Sequence, residues 1–278
     1  MAPIDDVVNH RLTHLPNPIV RGPKSSLDWC DYFETNAKRL LPIPWEAGVD
    51  LTAAERNAVA HSLQVFQLGE TGEGGHIMAT AGKYAVQSGD IHYPAALRMF
   101  IEEEHRHAAL LGQALDLAEI PCLSKQWSDG IFRRLRHFGG LELAICVLLT
   151  AELIAKIYYA ALHAATGSTV LRRICEQILR DEAMHVKFQS ERLWILRRGR
   201  AGWAHRTAVA LQGLLFFATC VVFWISHRRV LIAGGFTLRR FARRARNEFQ
   251  YVLSVGQAFQ PDTSAKLTSA ARYGSFGA

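Results

Sequence analysis

The sequence contains two copies of a Glu-x-x-His motif, and this repetition limits the possible folds more than any other feature. Glu104 precedes His107 by three positions, and Glu182 precedes His185 by the same interval. Residues three positions apart lie on one face of an α-helix, so each copy can direct a carboxylate and an imidazole toward a common point. Two such helices, packed together, would place these side chains around one centre. The repetition therefore predicts a bundle of helices with polar side chains in its core.

Two further pairs have the same spacing, and they are alternatives to the first two. They are Glu73 with His76 and Glu102 with His105. A single pair of this kind is typical of an ordinary contact on the surface of a helix. Four pairs among 12 histidines exceed chance for this composition, so we expect at least some of them to share a function.

Helix signals divide the central part of the chain into four long segments. Thr52 and Glu55 form a capping box, and Pro94 suits the first turn of a second helix. A nearly continuous apolar run indicates a third helix buried within the bundle, ended by Gly167. Ser168 is suited to cap the fourth helix. The predicted helices cover residues 52–87, 93–120, 141–166 and 168–199.

Glu152 lies in the middle of the apolar third segment. A buried carboxylate is unfavourable unless it is paired or bound to a cation; the alternative is a surface Glu paired with Lys156. Glu152 precedes Glu182 by 30 residues and Glu70 precedes Glu104 by 34, so two antiparallel hairpins would bring these carboxylates to similar heights. The resulting candidate ligand set, suited to iron or manganese, is Glu70, Glu104, His107, Glu152, Glu182 and His185.

The composition is that of a folded protein, with 49% hydrophobic and 21% charged residues in a chain of 278. Its five cysteines are scattered without a Cys-x-x-Cys motif, which argues against a zinc ribbon and favours reduced cysteines used in packing. The first residues lack the pattern of a signal peptide, so we expect a cytoplasmic location. We divide the chain into a proline-rich arm at 1–50, the bundle at 51–200, a helical extension at 201–256 and a flexible tail at 257–278.

The extension is both basic and apolar. Between positions 192 and 247 there are 12 Arg residues and no Lys, Asp or Glu. Within this region, residues 207–226 carry no charge and are just long enough to span a bilayer, so they predict either a fifth helix packed on the bundle or a membrane contact. We rank nucleic-acid binding last, because no base-reading motif accompanies the charge. A basic face suited to anionic lipid is predicted from Arg239, Arg240, Arg243, Arg244 and Arg246, beside Phe236, Leu238, Phe241 and Phe249.

Residues 53–198 resemble the ferritin-like di-metal carboxylate superfamily, which includes rubrerythrins, the ribonucleotide reductase small subunit and demethoxyubiquinone hydroxylase. The segment Phe66-Gln-Leu-Gly-Glu70 is similar to the first-helix signature of rubrerythrins, and this similarity implies that Glu70 bridges two metal ions, with Glu73 as the rival. His107-Ala-Ala-Leu matches the family's second-helix motif, which favours Glu104 and His107 over Glu102 and His105. Two acids that precede the ligand glutamates, Glu103 and Asp181, would hydrogen-bond the opposite histidine.

The resemblance implies an all-α, ferritin-like four-helix bundle with extra C-terminal helices. It further implies an oxidoreductase with two Fe ions, or an Fe/Mn pair, that activates dioxygen or peroxide, on a small apolar substrate if the extension meets a membrane. No rubredoxin-like segment is present in the sequence, so the electron donor would be external. Ferrous iron oxidation without an organic substrate and a metal-free structural bundle are the alternatives. We also expect a homodimer, and a peripheral location on the inner face of the membrane.

Overall fold

The computed structural model describes residues 22–72, 74–124 and 139–259, and these residues form helices without any β-strand. The all-α prediction is therefore confirmed for the described part of the chain. We number the α-helices in chain order: α1 Ser26–Ala37, α2 Ala53–Glu70, α3 Gly75–Ser88, α4 Tyr93–Leu117, α5 Leu141–Ala165, α6 Thr169–Arg197, α7 Gly202–Ala233 and α8 Leu238–Ala258.

Helices α2, α4, α5 and α6 surround the polar centre. Helix α2 packs on α4, α5 packs on α6, and α4 also contacts α6. Two predicted caps are confirmed, since the Thr52 side chain accepts a hydrogen bond from the Glu55 backbone and the Ser168 side chain accepts one from Leu171. Gly167 is not the left-handed cap that the sequence suggested. Helix α5 ends in an extended Thr166, and the Gly167 N–H donates to Glu55 Oε1 at 2.6 Å.

The first long helix of the prediction is interrupted. Helix α2 ends at Glu70 and α3 begins at Gly75, whereas the sequence suggested one helix to about residue 87. Gly74 adopts φ +65°, a left-handed conformation, and a Cβ atom there would lie 2.5 Å from Ile101 Cδ1. The glycines near Gly74 thus produce the break that their poor helix propensity predicts. As a result, Glu70 lies at the last turn of α2, at the edge of the break.

Helix α1 lies across α4 as part of the N-terminal arm. The side chains of Trp29 and Phe33 are almost fully buried. Trp29 packs on Phe188 with ring centroids 5.1 Å apart, and its indole N–H donates to Glu191 Oε2 at 3.0 Å. This packing fixes the register of α1 over α6. Residues 1–21 of the predicted arm lie outside the described residues.

The cysteines are all unpaired, as predicted. Cys30, Cys146, Cys175 and Cys220 are buried and serve as packing residues, whereas Cys122 is exposed. No pairing therefore constrains the described loops.

Helices α5 and α7 are both long and apolar enough to cross a membrane by length and composition alone. They differ in their surroundings, because 72% of the most apolar stretch of α5 is buried inside the protein, against 28% for α7. One side of α7 packs on α5 and α2, as the fifth-helix prediction required. Its other side is an exposed apolar strip formed by Trp203, Leu211, Leu214, Phe217, Val221 and Ile225.

Helix α8 covers the outside of α6 and α5. Phe241 and Phe249, which the sequence placed beside a basic lipid-binding face, are buried against the protein's own core, whereas Leu238 is exposed. The arginines at positions 239, 240, 243 and 246 remain exposed on the opposite side. Helix α8 is therefore an amphipathic helix whose apolar face is already occupied.

We expect Gly234→Ala to destabilise the fold by about 1–3 kcal/mol, because an added methyl group would overpack a close helix contact. A Cβ atom at Gly234 would lie 2.8 Å from the Cα of Ala161 in α5. Chemical denaturation measures the change in the free energy of unfolding. The control is Gly82→Ala in α3, where no described atom beyond the adjacent turns of its own helix lies within 4 Å of the added Cβ; this variant should be neutral or up to about 1 kcal/mol more stable. Equal effects of the two substitutions would contradict the expectation.

Candidate metal centre

The structure brings the six predicted ligands together in the middle of the bundle. Their carboxylate oxygens and imidazole nitrogens form two overlapping groups, and the donor atoms within each group lie within 4.8 Å of one another. Glu104 belongs to both groups. The first group is Glu70, Glu104 and His107, and the second is Glu104, Glu152, Glu182 and His185.

Interatomic distances show which carboxylates reach both histidines. His185 Nδ1 lies 3.0 Å from Glu104 Oε1 and 3.7 Å from Glu182 Oε2. His107 Nδ1 lies 3.7 Å from Glu104 Oε1 and 3.9 Å from Glu182 Oε1. Glu104 and Glu182 thus lie between the two imidazoles. The family resemblance assigned the bridging position to Glu70, but Glu70 belongs to only one of the two groups.

Several atoms of this cluster are buried and make no hydrogen bond of acceptable geometry within the described ranges, although His185 Nδ1 and Glu104 Oε1 lie only 3.0 Å apart. An orphaned polar atom costs about 1–3 kcal/mol, so a protein rarely buries several of them together. The side chains that carry these atoms belong to the two donor groups, so a cation bound within a group would satisfy several of them at once. They are Glu104 Oε1, His107 Nδ1, Glu182 Oε1, Glu182 Oε2 and His185 Nδ1.

The far nitrogen of each imidazole is held by an acid from the other motif. His107 Nε2 lies 3.1 Å from Asp181 Oδ2, and His185 Nε2 lies 2.9 Å from Glu103 Oε2. This is the crossed arrangement that the resemblance implied for the two acids. A proton on Nε2 donates to the acid in each case, and the lone pair of Nδ1 is left facing the cluster.

Sequence reasoning missed the residue that joins these two acids. Asn36 of α1 donates from Nδ2 to Glu103 Oε1 and to Asp181 Oδ1, both at 2.8 Å. Gln177 also donates to Asp181, at 2.8 Å. The signal for Asn36 is its spacing from Trp29 and Phe33, which places all three on the buried face of α1. Its partners lie 67 and 145 residues away in sequence, and no local pattern identifies them.

The electrostatics of the cluster are those of crowded buried carboxylates. Burial, reinforced by the charge of Glu104, raises the pKa of Glu70 well above its usual range, and burial beside Glu152 raises that of Glu182 in the same way. Burial alone would lower the pKa of His185, but the surrounding carboxylates outweigh it and raise that pKa. Burial also opposes ionisation of Asp181, yet its hydrogen bond from His107 lowers its pKa to about 2. The centre therefore favours positive charge.

The alternative Glu-x-x-His pairs do not share these properties. Glu102 and His105 are exposed on α4, and the His105 ring nitrogen Nε2 lies 3.1 Å from the Gly72 carbonyl. His76 lies 3.4 Å from the Gly139 carbonyl, and Glu73 lies outside the described residues. The inward-facing pairs are therefore the two that the family motif favoured.

The surroundings of Glu152 and Glu70 could not be decided from the sequence, and the structure shows them. Lys156, the alternative partner of Glu152, forms an ion pair with Glu248 of α8, and Glu152 is only 2% exposed beside His185. Glu70 accepts a hydrogen bond from the Tyr159 hydroxyl at 2.6 Å. The surface alternative for Glu152 is thus wrong, and Tyr159 fixes one oxygen of Glu70.

A cavity of about 220 Å³ extends from the cluster toward α7. At its inner end lie the carboxylates of Glu70, Glu104, Glu152 and Glu182. Apolar side chains of α2, α4, α5 and α7 form its walls, and exposed residues of α2, α5 and α7 lie at its outer end. The arrangement is that of an apolar pocket with a few convergent polar groups, which is typical of a small-molecule site.

Comparisons of the chain with protein-family models, with curated proteins and with solved structures give no match.

Proposed function

We propose that this chain is a di-metal oxidoreductase with a ferritin-like bundle, and that its centre holds two Fe ions or an Fe/Mn pair. The observation that carries the proposal is the convergence of orphaned imidazole and carboxylate atoms in the core. Four carboxylates and two imidazoles form a hard ligand set that suits these metals. The ligands would be Glu70, Glu104, His107, Glu152, Glu182 and His185.

When bound, such a metal pair would supply the activation of dioxygen or peroxide, with electrons from an external donor. The protein's own residues orient the ligands. Asp181 and Glu103 each hold the Nε2 proton of one histidine, and Asn36 holds both acids in place. The hydroxyl of Tyr159 orients Glu70. The bundle thus presents its ligands already positioned, which lowers the cost of binding the ions.

The apolar cavity favours an organic substrate over simple oxidation of ferrous iron. Its walls contain Phe66, Phe100 and Val147, which offer no ligand atoms to an iron ion passing through. A small apolar molecule would be desolvated there and held next to the carboxylates. Oxygen consumption by the iron-loaded chain, with and without apolar candidate substrates, tests this choice. Ferrous iron turned over at a rate that no such compound affects would favour the iron-oxidation alternative.

We expect Asp181→Asn to weaken iron binding about 10- to 100-fold, because the side chain amide can no longer fix the tautomer of His107. Equilibrium titration of the metal-free chain with ferrous iron under anaerobic conditions measures the affinity. Asp116→Asn provides the control, since Asp116 is exposed on α4. If the two variants bound iron equally well, the role of Asp181 would be refuted.

We further propose that α7 contacts an anionic membrane surface. The exposed strip of α7 carries large apolar side chains, and exposed arginines at positions 206, 228 and 229 lie at its two ends. An apolar strip flanked by cations suits an interfacial helix on anionic lipid.

We expect the wild type to co-float with phosphatidylserine vesicles and the double substitution Leu214→Glu and Ile225→Glu to abolish this co-flotation. Both side chains are more than 60% exposed, so the fold should be retained while burial in lipid becomes unfavourable. Val86→Glu, at an 87% exposed position on α3, serves as the control and should float normally. Wild-type protein that stays with the soluble fraction at low salt would rule out the membrane contact.

A further inference from the structure

His227 of α7 lines the cavity and is only 8% exposed. Its Nδ1 atom is buried and has no hydrogen-bond partner among the residues that the structure describes. This nitrogen belongs to α7 and is separate from the orphaned atoms of the carboxylate cluster, which belong to α4 and α6. A ligand within the cavity would supply the missing partner and remove the penalty of leaving a polar atom unpaired.

Aromatic side chains hold the imidazole of His227 in place. Its ring centroid lies 4.9 Å from that of Phe223 and 5.6 Å from that of Phe66. The backbone of His227 departs from helical geometry, with φ −117° and ψ 15°, and this departure interrupts α7. Interruptions of a helix and irregular backbone conformations are concentrated at functional positions. The side chain is therefore fixed at a site where the helix itself is distorted.

The imidazole of His227 is neutral near pH 7. Burial lowers its pKa to about 4, and the nearby His61 contributes in the same direction. A neutral imidazole has one N–H donor and one acceptor nitrogen, so it can bind a hydroxyl or a carbonyl group. It offers no net charge to an anion. A ligand that approaches His227 is thus expected to carry an uncharged polar group.

We propose that the cavity binds an apolar molecule with a single hydroxyl or carbonyl group, and that His227 is the positioning residue that hydrogen-bonds this group. The inference rests on the proposed function, since it names the class of substrate that the metal centre would oxidise. With its polar group on His227, the molecule would extend along the apolar walls, and its other end would lie against the carboxylates of the cluster. The residue would thereby select which part of the substrate faces the metal.

The test compares two probes that differ by one hydroxyl group, 4-ethylphenol and ethylbenzene. Both are titrated into the full chain in the presence of a chelator, and dissociation constants are measured for wild type and His227→Phe. We expect the substitution to weaken 4-ethylphenol binding about five- to tenfold, the value of one lost hydrogen bond, and to leave ethylbenzene binding unchanged within about twofold. The matched control is His163→Phe, which replaces another buried histidine outside the cavity and should affect neither probe.

Equal changes in affinity for the two probes, or no binding of either probe to the wild type, would overturn the inference. If His227→Phe does not fold, wild-type protein labelled with ¹⁵N-histidine decides the question. In that experiment, 4-ethylphenol should shift one imidazole signal that ethylbenzene leaves unchanged. In a separate titration, His227→Asn, which keeps a donor and an acceptor, should still bind 4-ethylphenol more tightly than ethylbenzene. An unshifted spectrum would also overturn the inference.

The metal is absent from both titrations, so their outcome is independent of the proposed oxidoreductase function. A chain that discriminates between the probes but binds no iron would refute the proposed function and keep the cavity site. A chain that binds iron but does not discriminate between the probes would refute the cavity site and keep the proposed function.

Discussion

Glu104→Ala is expected to abolish binding of the two metal ions that we propose, which is the largest effect we predict for a single substitution. Glu104 is the one carboxylate common to both donor groups of the described centre. Its loss leaves His107 with Glu70 in one group and removes a contact of 3.0 Å to His185 in the other. Elemental analysis of protein expressed with iron and manganese should show less than about a tenth of the wild-type content.

The control for this experiment is Glu102→Ala, on the same helix two residues earlier. Glu102 belongs to a Glu-x-x-His pair of identical spacing, but its side chain is exposed. Its removal should leave the metal content at the wild-type value. A loss of metal in Glu102→Ala, with Glu104→Ala unaffected, would show that the wrong pair has been assigned to the centre.

The second large effect concerns stability in the absence of metal. We expect the free energy of unfolding of the metal-free chain to fall as the pH rises from about 5 to 8. The pKa values of Glu70 and Glu182 are raised in the folded state, chiefly by burial and then by neighbouring carboxylates. Above the ordinary pKa of a glutamate, near 4.3, the folded chain therefore holds protons that the unfolded chain releases. Folding then becomes less favourable with increasing pH.

His185 acts in the same direction. Its carboxylate neighbours outweigh burial and raise its pKa, so its contribution to stability is complete below about pH 6.5 and is lost as the pH rises further. Asp181 acts only at lower pH, because its pKa is about 2 in the folded state and its contribution is lost as the pH falls below about 4. Glu70, Glu182 and His185 of the candidate cluster thus drive the expected decline between pH 5 and 8, and Glu191, whose pKa is also raised, acts in the same direction. His163 and His227, whose pKa values are lowered by burial, oppose the decline below about pH 6.5.

Glu182→Gln should raise the stability of the metal-free chain by about 1–4 kcal/mol at pH 8 and flatten its dependence on pH, since the amide is always neutral and removes the cost of keeping a buried carboxyl group protonated above its ordinary pKa. Urea denaturation at several pH values, with chelator present, measures both quantities. Glu176→Gln on the same helix is the control: the Glu176 side chain is 44% exposed and its pKa is lowered, so this substitution should not stabilise the protein. A metal-free wild type that grows more stable toward pH 8 would contradict this explanation.

Much of the fold follows from local patterns in the sequence. The capping box at Thr52 and the cap at Ser168 begin helices where the structure begins them, because capping depends on residues only three positions apart. The interruption after Glu70 was only partly foreseen. The glycines at positions 72, 74 and 75 are poor helix formers, but the break itself depends on the close approach of Gly74 to Ile101 of another helix.

In the candidate site, too, local patterns predict some residues and tertiary contacts decide the others. Spacing and family motif together identified Glu104 and His107, because helical periodicity is a local property. The role of Asn36 depends on how α1 lies across the bundle, which the sequence does not encode in any short pattern. The burial of Phe241 and Phe249 likewise depends on the docking of α8, which no local pattern shows. The sequence alone therefore assigns both the arginines and the aromatic residues of this helix to a lipid-binding face.

The metal content of the wild-type chain tests most directly whether the buried cluster is a di-metal site. The chain would be purified after expression with iron and manganese supplied, and its metal content per chain would be measured by elemental analysis. Our account predicts about two ions per chain. Fewer than about half an ion per chain, unchanged after anaerobic addition of ferrous iron, would contradict it and leave a helical bundle with an unusually costly polar core.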